Sequence, residues 1–189
     1  MSNSNPSSLH SLRDNPFELL REMERRSRAA MTGSRLDSQG DDEWVGIGCQ
    51  LANERLLVAR NEVREVMMMP ATLTRVPGAK EWVAGLANLR GQILTVVDLR
   101  AFLGAGTSQG ARAGRLLIVD NPDMSVGIIV DEVFGFRRFG GNEFTDNIPE
   151  TKLRCERYLS GACERGAEVW PVLSLVKLLD ASEFQKAAA

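Results

Sequence analysis

An all-β fold is predicted by two observations. From Trp44 onward, apolar residues recur with a period of two in short runs bounded by turn residues, which is how strands read, not helices. One pattern also occurs twice. Trp82, Gly85, Ile93, Val96, Leu99 and Leu103 recur as Tyr158, Gly161, Val169, Val172, Leu175 and Leu179, every pair 76 residues apart. Glu62–Val63 recurs as Glu132–Val133 at an offset of 70. Many short strands with few helices point to a barrel or sandwich. The echo points to two related β subdomains. Its long period excludes a solenoid, whose units recur every 20–50 residues or so.

The elements follow in order. Residues 1–13 are rich in Ser and Asn and read as a disordered leader. Asp14, Asn15 and Pro16 then make a helix start, with a side-chain cap and a proline in the first turn, where its missing N–H costs nothing. An amphipathic extension helix is predicted over about 15–32. Phe17, Leu20, Met23, Ser27 and Ala30 form one face, and Glu22–Arg26 and Glu24–Arg28 are favourable i,i+4 pairs. That narrow apolar edge suits packing on the domain or docking on a partner. Residues 33–43 read as a linker, so 1–43 stands apart from the domain at 44–181, with a tail at 182–189.

Within the domain, 44–51, 55–60 and 62–68 read as strands, with Ala52–Asn53–Glu54 as a hairpin turn. Pro70 and Pro77–Gly78 break the chain. The run 92–99 is the clearest strand, and Arg100–Leu103 a turn of helix after it. The small, polar stretch 104–114 reads as a mobile loop and as the approximate divide between subdomains. Strands return at 115–120, 125–131 and 133–139, with a turn at Asn121–Pro122–Asp123 between the first two. Two more are predicted at 158–163 and 168–173, and a short C-terminal helix closes the chain.

Composition excludes several functions. The net charge of −2 gives no general attraction to nucleic acid. The one histidine, His10, lies in the leader, which removes a Ser/His/Asp or Cys/His triad and leaves a zinc site without good ligands. Cys49, Cys155 and Cys163 show no CxxC spacing and read as free thiols of a reducing cytosol. The polar start lacks a secretory apolar core, and no apolar run is long enough to span a bilayer. GAGTSQG at 104–110 lacks the glycine spacing, the preceding strand and the lysine of a phosphate loop. No catalytic residue, metal or cofactor is expected.

The stretch TRVPGAKEWVAGLANLRGQILTVVDLRAFLG resembles the CheW-like domain of bacterial chemosensory systems. It carries Pro77, Gly85, Asn88–Leu89–Arg90–Gly91 and Asp98–Leu99 in the family's order. EVREV upstream, VGIIVDEV at 126–133, and YLSGA and LLD near the end add to the match, which covers about 44–181. Ala59–Arg60 stand where the family often has a proline. The leader NPFELLREMERR is similar to the extension of the family's type IV pilus branch.

The resemblance implies two packed, five-stranded, SH3-like β-barrels without chemistry of their own. Such a domain bridges the cytoplasmic tip of methyl-accepting chemoreceptors and the regulatory domain of a CheA-type histidine kinase. It would be cytoplasmic, held at the inner-membrane receptor array by protein partners. Twitching motility is the expected output, with flagellar chemotaxis as the alternative. An oligonucleotide-binding small barrel is the alternative of another class, hinted at only by Arg137–Arg138–Phe139.

Partner-binding candidates follow from the same resemblance: Val63, Val66, Gly85, Arg90, Gly91, Val130, Asp131 and Val133, with Asp98 and Leu99 as structural support. Each also has a plainer use. Arg90 could bond loop carbonyls or pair with Asp98; at a surface, its planar fork suits carboxylates and carbonyls. Gly91 supplies a positive φ. Gly85 allows a close backbone approach. Val63 and Val66 could be plain core, and Asp131 could cap a turn. Alternation leaves at least one of Met67, Met68 and Met69 exposed on an adaptable surface, unless all three fill the gap between barrels.

Overall fold

A computed structural model describes residues 43–107, 114–153 and 155–187. The predicted leader helix and most of the 104–114 loop lie outside the described residues.

The strands are β1 (Trp44–Leu51), β2 (Glu54–Ala59), β3 (Val63–Met68), β4 (Val83–Leu89), β5 (Gln92–Asp98), β6 (Arg115–Val119), β7 (Val126–Val130), β8 (Glu132–Phe139), β9 (Phe144–Thr145), β10 (Leu159–Arg165) and β11 (Glu168–Leu173). Among the described residues the α-helices are α1 (Leu99–Phe102), α2 (Leu175–Leu179) and α3 (Ser182–Gln185). One sheet has the order β8-β1-β2-β11-β10-β9 and the other β3-β6-β7-β5-β4.

The sequence echo is a structural repeat. β4, β5 and α1 recur as β10, β11 and α2, and β1, β2 and β3 recur as β6, β7 and β8. Pairing repeats as well: Gly46↔Ala59 and Ile47↔Val58 in the first hairpin become Leu116↔Ile129 and Leu117↔Ile128 in the second. Each sheet contains one parallel pair, Val97↔Ile128 in one and Leu173↔Val58 in the other. Those pairs join strands of different repeats. The hairpin β1–β2 of the first repeat sits with β8, β10 and β11 of the second, and β6–β7 sits with β3, β4 and β5. The two repeats have exchanged their first hairpins.

The segment 104–114 therefore separates the repeats and not the sheets, because it joins β5 to β6 within the five-stranded sheet. The chain crosses between sheets at Arg60–Glu62, a turn of 3-10 helix, and at Asp131.

Alternation along each strand fills three cores. On β6, Leu116 and Ile118 point inside the five-stranded sheet with Leu94, Val96 and Ile129. Leu117 and Val119 point the other way, into a core shared by both sheets with Ile47, Leu56, Val58 and Ile128. Leu57, Phe139, Cys163, Trp170 and Val172 fill the six-stranded sheet. Central strands covered on both faces read as continuous apolar runs, as in LLIV and GIIV. Side chains join the ends of each curled sheet into a barrel. Arg165 on β10 donates to the Arg138 carbonyl on β8 (2.6 Å) and forks onto Glu143 (2.6 and 2.7 Å). Arg90, in the β4–β5 turn, likewise forks onto Glu65 of β3.

Three expectations are corrected. One barrel has six strands, since the two-residue β9 pairs with β10; its counterpart in the other is a single bridge, Thr74↔Leu86. The strand β4 went unrecognised because Ala84, Gly85 and Ala87 blur its alternation. The C-terminal helix is two short ones interrupted at Asp180–Ala181. Glu62 holds the first of them across the sheet junction, accepting from Leu175 N (2.6 Å) and the Ser174 hydroxyl (3.0 Å).

Candidate partner-binding surface

The β4–β5 turn has two central residues, Arg90 and Gly91, closed by the pair Leu89↔Gln92. Both are left-handed, with φ of 51° and 86°. A tight hairpin needs this to match the strand twist, and glycine or asparagine is the usual first residue. Asn88 supports the turn by accepting from Gly91 N at 2.9 Å. Arginine in that backbone costs about 1 kcal/mol through its Cβ. The turn therefore does not explain the side chain it carries.

That side chain is 76% exposed. Its guanidinium grips Glu65 with two parallel bonds, 2.9 and 3.2 Å. The partner is neither a loop carbonyl nor Asp98. Asp98 instead caps α1, accepting from Arg100 N (3.0 Å) and Ala101 N (3.2 Å). Leu99 is buried beneath it.

Apolar side chains are exposed on the strands that frame this ion pair. On β3, Val66 is 37% and Met68 67% exposed; on β5, Ile93 is 68% exposed. Met67 and Met69 pack against the interior of the five-stranded barrel, so the three methionines do not fill a gap between barrels.

The other candidates lie elsewhere. Val63 and Val130 are 2% and 1% exposed within the shared core and offer no surface to a partner. Val130 ends β7, a central strand covered on both faces, and Val63 opens β3 where the sheets meet. Gly85 does admit a close backbone, but the backbone is the chain's own: a Cβ there would lie 2.6 Å from the Thr74 carbonyl oxygen. Its repeat mate Gly161 is held the same way by Thr145. Val133 is half-buried against the shared core. Asp131 accepts from Ala52 N (2.5 Å), fixing the β1–β2 turn, and lies 3.5 Å from Arg100.

Of the predicted surface residues, Val66, Arg90 and Gly91 are thus accessible, with Val66 on the face of β3 opposite Glu65. Glu65 and Ile93 were missed. Nothing local marks Glu65, which meets Arg90 across 25 residues of chain. Ile93 looked like one more strand residue.

The remaining polar chemistry is structural. Burial pushes the Cys49 thiol up to about 12 and that of Cys163 to about 11, and burial also raises Cys155. These thiols are poor nucleophiles. Arg165 and the Gly140 amide hold Glu143 down to about 2. Among the described residues no cluster of His, Cys, Asp and Glu fits a metal ion, and no helix is long and apolar enough to cross a membrane.

The CheW-like domain pattern matches residues 46–183. Protein PilI of Pseudomonas aeruginosa is 34% identical over 159 residues, covering 84% of this chain and 88% of that protein. Chemotaxis protein CheW of Helicobacter pylori is 28% identical over 134 residues, 70% of this chain and 78% of that one. The crystal structure of the scaffolding protein TtCheW from Thermoanaerobacter tengcongensis superposes with a TM-score of 0.66 at 23% identity, covering 77% of this chain and 99% of that one. A matched pattern over most of the chain, relatives of similar length and the same double-barrel fold agree: this protein belongs to the CheW-like domain family.

Proposed function

We propose that the protein is a non-enzymatic adaptor that couples methyl-accepting chemoreceptors to a CheA-type histidine kinase, in an array that controls type IV pilus twitching. The observation that carries this reading is Arg90: an exposed guanidinium, displayed from a turn whose backbone disfavours it, on a barrel whose strands β3 and β5 also expose Val66, Met68 and Ile93. Strain kept at an exposed position marks function more often than stability. Arginine and methionine are enriched at protein interfaces, with arginine a frequent hot spot. The likeness to PilI over most of both chains supports the pilus branch. Two barrels provide two separate faces, as a bridge between two partners needs. The adaptor would act in the cytoplasm and reach the inner-membrane array through these partners without inserting itself.

The test is reconstitution of the full chain with a receptor cytoplasmic tip and a kinase regulatory domain. The Arg90→Glu variant should fold, fail to co-sediment with the receptor fragment, and lose receptor control of the kinase. Wild-type coupling by the variant would refute the role. Deleting the gene and scoring twitching against swimming separates the pilus reading from a flagellar one.

A further inference from the structure

The six-stranded barrel carries a basic and aromatic surface of its own, apart from Arg90. β8 is the end strand of its sheet, and Gly135, Phe136, Arg137 and Arg138 are exposed along it. Gly48, on the neighbouring β1, leaves room for the stem of Arg137, whose Cγ lies 3.4 Å from where a Cβ would stand. Arg137 therefore lies low on the sheet and reaches its guanidinium over Trp170, 5.6 Å from the ring centroid. Arg55 on β2 stands over the same indole at 5.7 Å and over Phe134 at 5.9 Å. On the opposite face of β8, Arg60 covers Phe136 at 5.7 Å, and Phe136 is 64% exposed, so an extended segment along β8 meets the two sites with alternate side chains.

Among the described residues, Arg55, Arg60 and Arg137 have no carboxylate partner; Arg138 has Glu43. Glu168 is engaged by the Trp170 indole N–H at 3.3 Å. A guanidinium held over a ring face keeps N–H donors available for a carboxylate. Two such cations on one indole repel each other, and an anion between them relieves this. The chain as a whole is acidic, so the positive spot is local. A nucleobase would instead need open ring faces. Trp170 and Phe139 are buried and capped, Trp170 by two arginines and Phe139 by Arg165 at 4.7 Å, and the exposed Phe136 ring carries Arg60 over one face.

We propose that the β8 side of the six-stranded barrel docks an acidic segment of a partner protein, with carboxylates taken by Arg55 and Arg137 and an apolar side chain set against Phe136. The surface is independent of Arg90, on the other barrel.

The test uses the full chain and two labelled probes, a synthetic peptide alternating glutamate with leucine and an oligothymidine, followed by fluorescence anisotropy across a salt series. The peptide should bind saturably, and more weakly as salt rises. Arg55→Gln with Arg137→Gln should weaken it by at least about tenfold. Phe136→Ser should also weaken it, and Arg90→Glu should leave it unchanged. The paired Arg→Lys variant keeps the charges and should recover part of the affinity. Chemical-shift mapping on the unaltered chain needs no variant and should place the peptide on β2 and β8. Absence of saturable peptide binding, an unchanged affinity in the folded Gln variant, shifts confined to other strands, or tighter binding of the oligothymidine would each overturn the proposal.

Discussion

Arg90→Asn separates display from structure at the proposed receptor surface. Asparagine tolerates the left-handed backbone that Arg90 adopts at φ 51°, so the substitution relieves about 1 kcal/mol. It also removes the paired bonds to Glu65. Both partners are solvent-accessible, at 76% and 32%, and an exposed pair of this kind contributes about 0.2–1 kcal/mol. The two effects nearly cancel. Urea denaturation should find stability within about 1 kcal/mol of the parent, and the melting temperature within about 4 °C. Binding behaves differently. An arginine hot spot is worth about 2 kcal/mol or more, so affinity for the receptor tip should fall by at least about thirtyfold in a titration calorimeter. A loss of more than about 2 kcal/mol in stability would mean that Arg90 builds the barrel. Unchanged affinity in the folded variant would mean that it merely decorates it. Either result refutes the reasoning.

Other outcomes follow from the same structure. Gly85→Ala sets a Cβ 2.6 Å from the Thr74 carbonyl at a φ of 145°, and Gly161→Ala sets one 2.3 Å from that of Thr145, so each should cost about 2–4 kcal/mol in urea denaturation. Gly91→Ala meets no atom within 4 Å and should cost only about 1–2 kcal/mol for its φ of 86°. Glu143 is held below its usual 4.5, at about 2, chiefly by Arg165. Its stabilisation is complete above the unfolded value and is lost as pH falls from about 4.5 through about 2; hydrogen exchange should show the β8–β10 seam loosening over that window and Arg165→Gln weakening the dependence to the part the Gly140 amide supplies. Cys49, Cys155 and Cys163 are all buried, so a thiol reagent should label none of them in the folded chain at pH 8 and all of them in denaturant.

Local chemistry written in the chain was enough for much of the fold. The strand at 44–51 has the bounds its alternation suggested, and 168–173 does too. Asn121 makes its predicted turn, accepting from Asp123 N and Met124 N at 2.8 and 3.0 Å. Periodicity and side-chain capping act within a few residues, so they survive in one dimension. The repeat was legible for a related reason: duplicated positions keep the same packing demands, as Gly85 and Gly161 do.

Tertiary structure alone decided which repeat each hairpin joins. A strand's pattern records which face is apolar and not which neighbour covers it, so β1–β2 reads the same in either barrel. Strand pattern likewise left open whether Val63 was core or the surface that the family resemblance implied, and both Val63 and Val130 are buried; it also hid Glu65, whose meeting with Arg90 exists only because a barrel closes. Short-range geometry is set by neighbours along the chain; burial and the pairing of distant charges are set by neighbours in space.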